Sequence, residues 1–354
     1  MRTVTFLIGV SASGKSRYAE KLTSGEVVLS SDQIRLELFG NLTRQSPQDH
    51  EEVFQLLQSR MFEHLRSGFD VVLDATNLSR KKRAALYKEI HRRTGLRRTG
   101  TIIDKNGIER VGTEVVRTVL VRGIVFVEPF KVILENNSKK EIDRQVPVKD
   151  LIRMYKTLNI PRIGVDVDDF EVRGQTPFFK NTISGSDFLN IVKEDVRSDL
   201  NNFLNLLTDE YSTEMRKLLG GHDTPYHLED IDEHINHCIN NAISETNDDN
   251  LVMVAMFHDL GKSFTKDGGR YLNHQNVSAM YALKAFSEIK DLDNYIDIHM
   301  VLETIYQHMN GHKPLGSKNI NNNNLDTETI DMIQRFAKID DMSREVSDIL
   351  TGGN

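Results

Sequence analysis

Apolar positions in the first half of the chain follow two rhythms. Residues 4–8, 26–29, 69–73 and 124–127 are short apolar runs, the pattern of strands buried on both faces. Between them, Val53, Leu56, Leu57, Met61 and Leu65 recur at spacings of three and four, which predicts an amphipathic helix over 47–67. Further helices are predicted from about Lys15 and, capped by Ser79, over the basic stretch after the third strand. Strand and helix alternate, so the first half reads as an α/β domain: a doubly wound parallel sheet with helices on both faces. Asp104-Lys105-Asn106-Gly107, between two β-rich runs, is a hairpin signal with no function attached. The second half shows helical spacing only, including residues 251–257, which are apolar on nearly every side and predict a buried helix. It reads as all-α, with the asparagine-rich stretch 319–324 as a flexible loop.

Charge and histidine sharpen the division. Residues 223–354 hold 22 acidic and 10 basic side chains, and nine of the chain's 12 histidines lie between His222 and His312. The first 222 residues carry 30 acids against 35 bases. This asymmetry predicts two chemistries: residues 1–175, a helical connector over 176–221, and residues 222–354, with the junction in the polar stretch from Lys180 to His222. The total of -7 excludes nucleic-acid binding by bulk charge. One stretch, residues 79–98, nevertheless packs nine Lys/Arg against one Glu and reads either as a solvated helix face or as a surface for a phosphate-rich partner. No apolar run of about 18 residues predicts a membrane span. A single cysteine, Cys238, makes no internal disulfide framework and points to a reducing compartment, the cytoplasm.

Gly9-Val10-Ser11-Ala12-Ser13-Gly14-Lys15-Ser16 fits the phosphate-loop pattern G-x-x-x-x-G-K-[ST]. Gly9, Ser11, Ser13 and Gly14 would curl backbone amides around phosphate, Lys15 would neutralise the β/γ-phosphates, and Ser16 would hold Mg²⁺, so the pattern predicts a bound nucleotide with Mg²⁺. Asp32, just past the second strand, is placed to orient and deprotonate an acceptor hydroxyl, and Arg35 to reach acceptor phosphate. Asp74 ends the third strand in the same plane, where it would hold a magnesium-bound water or orient Arg35. The polar segment 135–147 reads as a mobile lid, with Arg144 its leading cation and Lys139 and Lys140 behind.

The rear half concentrates metal-ligand chemistry. The buried helix ends on His258-Asp259, a pair costly to bury unless bound to an ion. His234, His274, His308 and Asp340-Asp341 supply further donors. Imidazole with carboxylate suits a divalent transition ion such as Mn²⁺, Fe²⁺, Co²⁺ or Ni²⁺, which would activate water for attack at phosphorus. Lys262 would offset charge on a substrate phosphate. His237, His299 and His312 read as surface or satisfied core histidines.

GVSASGKS, SSDQIR, VVLDATNLSRKKR and VFVEPFKVILENN with VPVKDLIRMYK resemble, in that order, the phage-type polynucleotide 5′-kinases over about residues 3–175. The resemblance implies ATP and Mg²⁺ on Lys15 and Ser16, Asp32 as general base, Arg35 on the acceptor's phosphate, and a lid arginine on the ATP phosphates, whose usual place Lys140 approaches more closely than Arg144. PYHLEDIDEHINH, FHDLGK and YLNHQNVSA resemble the HD phosphohydrolase superfamily over about residues 222–348. That likeness maps its H…HD…D signature onto His234, His258, Asp259 and Asp340, preferred to Asp341, with His274 and His308 where dinuclear members hold a second metal. Together the two imply an α/β P-loop kinase domain followed by an all-α HD domain, and an enzyme that heals RNA or DNA ends for a downstream ligase. It would phosphorylate 5′-OH ends and remove 3′-phosphate or open 2′,3′-cyclic phosphate. A small-molecule kinase joined to an HD nucleotidase, or a kinase with a silent regulatory HD module, are the alternative readings.

Overall fold

The computed structural model describes residues 1–22, 25–42, 46–103, 109–221, 229–267 and 270–344, with only the backbone described over 97–103 and 109–116. The predicted alternation resolves into β1 (Arg2–Ile8), α1 (Lys15–Ala19), β2 (Val27–Ser30), α2 (Ser31–Phe39), α3 (Pro47–Arg66), β3 (Val71–Asp74) and α4 (Arg80–Thr94). Then come β4 (Leu96–Ile103), β5 (Glu109–Val116), β6 (Val119–Phe126), α5 (Phe130–Ser138), α6 (Val148–Thr157) and β7 (Asp169–Arg173). Five strands form one parallel sheet in the order β2-β3-β1-β6-β7. β1, at its centre, is buried from Val4 to Ile8, because a parallel sheet covered on both faces leaves no polar side for alternation to mark.

Two readings of the first half need correction. β6 starts at Val119 rather than 124, since the Arg122-Gly123 interruption does not break the strand. Gly123 sits where an added Cβ would lie 3.1 Å from the Cβ of Phe170, so it permits the close approach of β7. β7 itself was unforeseen: DFEVR is too polar to look buried, and it pairs on one side only, as the sheet's edge. β4 and β5 pair antiparallel outside the main sheet, as the hairpin signal implies; residues 104–107 lie outside the described residues.

Ser46 and Asp49 form a capping box that starts α3 behind Pro47, which fixes φ at the first helical position. Residues 176–221 contain α7 (Gly185–Ile191), α8 (Asn201–Leu204) and α9 (Asp209–Met215). The rear half is helical: α10 (Ile231–Thr246), α11 (Asp249–Phe257), α12 (Lys262–Thr265), α13 (His274–Phe286), α14 (Ile298–Gly311), α15 (Ser317–Asn323) and α16 (Thr327–Met342). α15 replaces the expected asparagine loop. Asn323 bonds Asn319 one turn back, and Asn319 donates to Gln307 at 3.3 Å, so tertiary hydrogen bonds override weak helix propensity. No described helix is long and apolar enough to cross a membrane.

One continuous apolar core runs from Val4 to Ile339, through both halves. Glu214 of α9 accepts from the Phe130 N–H at 3.0 Å and from the Tyr281 hydroxyl, tying α5 to α13. Phe264 of α12 packs its ring 4.8 Å from Phe130 and 4.5 Å from Tyr155. Arg80, at the start of α4, makes a buried two-pronged contact with Glu303 of α14 at 3.0 and 2.9 Å, and Arg83 pairs with buried Asp166 at 2.6 Å. The basic run is therefore not one solvated face, because two of its cations are structural ties.

Candidate active sites

The front site lies at the carboxyl edge of the parallel sheet, where β1, β2 and β3 end together. Gly9 leaves β1 so close to β6 that an added Cβ would fall 2.7 Å from the Ser13 hydroxyl and 3.0 Å from the Phe126 carbonyl. Gly14 turns into α1 at φ 100, in the left-handed region glycine favours. The Lys15 ammonium is buried and folds back to donate to the Gly9 and Val10 carbonyls at 2.8 and 2.7 Å. Burial lowers its pKa to about 8, although Asp74 and Asp32 pull upward. Asp74 is itself buried, which raises its pKa against the pull of Lys15 and a hydrogen bond from Ser16. The buried Ser13 hydroxyl oxygen has no hydrogen-bond partner among the described residues. An orphan hydroxyl inside a loop of turned amides, beside a lysine and a Ser16–Asp74 pair, fits a bound phosphate with a divalent ion.

Asp32 is in the first turn of α2, its carboxylate 2.6 Å from Arg35, with Asp32 largely exposed and Arg35 mostly covered. The helix is capped by Ser30, whose hydroxyl accepts from the Gln33 N–H at 3.4 Å, so the carboxylate of Asp32 is not spent as the cap. Lys140 donates to the Ser11 hydroxyl of the loop at 3.1 Å, and its burial lowers its pKa. Arg144 is exposed and 3.6 Å from Glu141, so Lys140, not Arg144, is the cation brought onto the loop. Much of the expected lid is ordered: α5 extends to Ser138, Asn136 donates to the Ala12 carbonyl, and the Asn137 amide holds both backbone groups of Val146 at 3.0 Å.

The rear site gathers five helices. His234 comes from α10, His258-Asp259 from the end of α11, His274 from the start of α13, His308 from α14 and Asp340 from α16. Gly261 lets the turn after Asp259 touch α13: an added Cβ would lie 2.2 Å from the His274 carbonyl, and the Gly261 N–H donates to Ser278 at 2.8 Å. The Asp259 carboxylate is the hub. One oxygen lies 3.2 Å from His258 Nε2, 3.7 Å from His234 Nε2 and 2.6 Å from Lys262; the other lies 3.2 Å from His274 Nε2 and 3.9 Å from His308 Nε2. Asp340 faces His234 Nε2 at 3.1 Å, while Asp341 is exposed.

Tautomer logic says what this cluster can hold. The Nδ1 atoms of His258, His274 and His308 face the carbonyls of Ala255, Tyr271 and Ile305 at 2.9, 2.8 and 2.7 Å. A carbonyl only accepts, so each Nδ1 carries a proton and each neutral ring turns an Nε2 lone pair inward. His274 and His308 Nε2 are 3.0 Å apart, and His258 and His234 Nε2 are 3.4 Å apart. Facing lone pairs need positive charge between them, from protons or a metal. Burial, with His274 and His258 adding to it, pushes His308 down to about 3. Burial also disfavours a charged His258, but Asp259 and Cys238 outweigh it and raise it to about 10. Burial works against ionised Asp259 and Asp340 too, yet His258 and Lys262 around the first and His234 and His312 around the second hold both well below the usual carboxylate range. Donors and charge both fit divalent cations, in two groups: His234, Cys238, His258 and Asp340, and Asp259, His274 and His308.

Two residues here escaped the sequence reading. His312, taken as bland, stands 3.0 Å from Asp340 and 3.2 Å from Asp341. Cys238, read only as a mark of compartment, is buried 3.6 Å from His234 Nε2. Burial pushes its thiol up, but His234 and His258 pull it down to about 7. The signal was present: Cys238 is one helical turn after His234.

Residues 4–157 match the family model described as AAA domain, and residues 224–341 the model described as HD domain. No curated protein matches the chain. Among solved structures, one similar chain belongs to "Structure of the Pnkp1/Rnl/Hen1 RNA repair complex", at 18% identity and a TM-score of 0.34, covering 44% of each chain. Another belongs to "Structure of Pnkp1/Rnl/Hen1 complex", at 20% identity and a TM-score of 0.28, covering 41% of this chain and 45% of that one. The chain thus spans less than half the length of these structures. In order along the sequence, this protein joins a P-loop kinase-like AAA domain to an HD domain.

Proposed function

We propose that the protein heals nucleic-acid ends: the front site transfers the γ-phosphoryl group of ATP to a 5′-hydroxyl, and the rear site hydrolyses a 3′-phosphate or 2′,3′-cyclic phosphate. The observation that carries this is the placement of exposed Asp32 and its partner Arg35 beside a phosphate loop, in a chain that also holds a buried His–Asp cluster. Asp32 accepts the proton of the attacking hydroxyl. Arg35 presents its guanidinium to the acceptor's phosphate. Lys15 would exchange the loop carbonyls for the β/γ-phosphates, Ser16 and Asp74 would hold Mg²⁺ to neutralise developing charge, and Lys140 would cover the loop.

In the rear site, His234, His258 and Asp340 would hold one divalent ion, and Asp259, His274 and His308 a second. Such ions polarise a phosphoryl group and make water a competent nucleophile near neutral pH. Lys262 keeps Asp259 ionised and adds positive charge at the phosphate. A nucleoside acceptor is the second reading, favoured by one finding: Arg80 and Arg83 are spent inside the fold. The test is to incubate the protein with ATP, Mg²⁺, Mn²⁺ and oligonucleotides bearing 5′-OH and 3′-phosphate ends, RNA and DNA in parallel, and to follow both ends. Phosphate gain at one end and loss at the other are expected. Preference for nucleosides over oligonucleotides in competition would select the second reading.

A further inference from the structure

We infer that Cys238 is a thiolate ligand of the first metal subsite, making it a site of two imidazoles, a carboxylate and a sulfur that selects zinc, cobalt(II) or iron(II) over manganese and magnesium. This rests on reading the rear cluster as a metal centre; the H…HD…D pattern supplies only nitrogen and oxygen. His234 and Cys238 lie four residues apart on α10, hence on one face, one turn apart. The thiol sulfur is 3.6 Å from His234 Nε2, which is 3.4 Å from His258 Nε2 and 3.1 Å from Asp340. All four donor atoms lie within 4.8 Å of one another. Four donors bound at about 2.0–2.3 Å around one tetrahedral ion stand roughly 3.3–3.8 Å apart, close to the 3.1, 3.4 and 3.6 Å that separate His234 Nε2 from Asp340, His258 and Cys238.

A buried cysteine usually behaves as a small apolar side chain. Here its sulfur faces imidazole and carboxylate donors, while its helix neighbours Ile235, Ile239 and Ala242 supply the apolar packing. The second group, Asp259, His274 and His308, has no sulfur, so the two subsites differ in softness. Metal choice is thereby divided within one centre.

The full chain, stripped by chelator, is titrated with cobalt(II). A sulfur-to-cobalt charge-transfer band in the near ultraviolet is expected in the wild type and absent in Cys238→Ser, whose weaker visible bands persist. Zinc binding should weaken at least about 10-fold in Cys238→Ser, while manganese binding changes less than about threefold. X-ray absorption of the zinc-loaded wild type, which needs no variant, should show one sulfur at about 2.3 Å. Cobalt bound without the band, a zinc spectrum without sulfur, or an unchanged zinc-over-manganese preference in Cys238→Ser would overturn the thiolate and leave the metal centre standing. If wild type and His258→Ala alike bind no metal, the metal-centre reading fails as well.

Discussion

The two sites meet phosphate with opposite architectures. The front one is local, eight consecutive residues whose backbone curves around an anion, with Asp32 and Arg35 added at an open sheet edge. The rear one draws donors from positions 234 to 340, all nearly fully buried, and fixes three of its imidazoles by carbonyl contacts. An anion is satisfied by amides that sequence neighbours already share. A cation needs side chains converging from several directions, which takes a bundle. The halves are not independent bodies: α14 carries both His308 and Glu303, the partner of Arg80, and α12 carries both Lys262 and Phe264.

The contrast breaks most sharply at Asp32. Asp32→Ala should cost the kinase roughly 10²–10⁴-fold in kcat and leave hydrolysis unchanged, as followed by labelled ATP and phosphate release. Equal loss of both activities in a folded variant would refute separate sites. Next is the joint. Glu303→Gln strips the charge facing two nearly buried arginines, Arg80 and Arg162, and should destabilise the full chain by about 3–5 kcal/mol in denaturant titration; an unchanged midpoint would make the halves uncoupled. Chelation comes third. Metal at about 100 times its Kd stabilises the folded chain by about 2.7 kcal/mol, so its removal should lower the Tm. A Tm insensitive to chelator and to added zinc would deny a resident ion. The smallest effect is at the lid: Lys140→Ala should reduce kinase kcat/KM about 10-fold, the worth of one charged hydrogen bond, with Arg144→Ala affecting it less. The reverse order would return the role to Arg144.

How much was legible follows from the same contrast. The phosphate loop and the central strands are contiguous patterns, and they sit where periodicity puts them. Edge strand β7 was invisible because an edge tolerates polar residues. The basic run misled because net charge along a helix says nothing of the Glu303 and Asp166 waiting across the fold for Arg80 and Arg83. The histidines of the rear site stood out by type, but His312 and Cys238 acquired meaning only when α10, α14 and α16 brought them to Asp340 and His234.

The central claim, two phosphate chemistries at two sites of one chain, is tested most directly by one doubly labelled oligonucleotide given to Asp32→Ala and His258→Ala in turn. The account predicts that the first removes 3′-phosphate without adding to the 5′ end, and that the second does the opposite. A folded variant that loses both activities, or a His258→Ala protein that still clears the 3′ end at the wild-type rate, would contradict it.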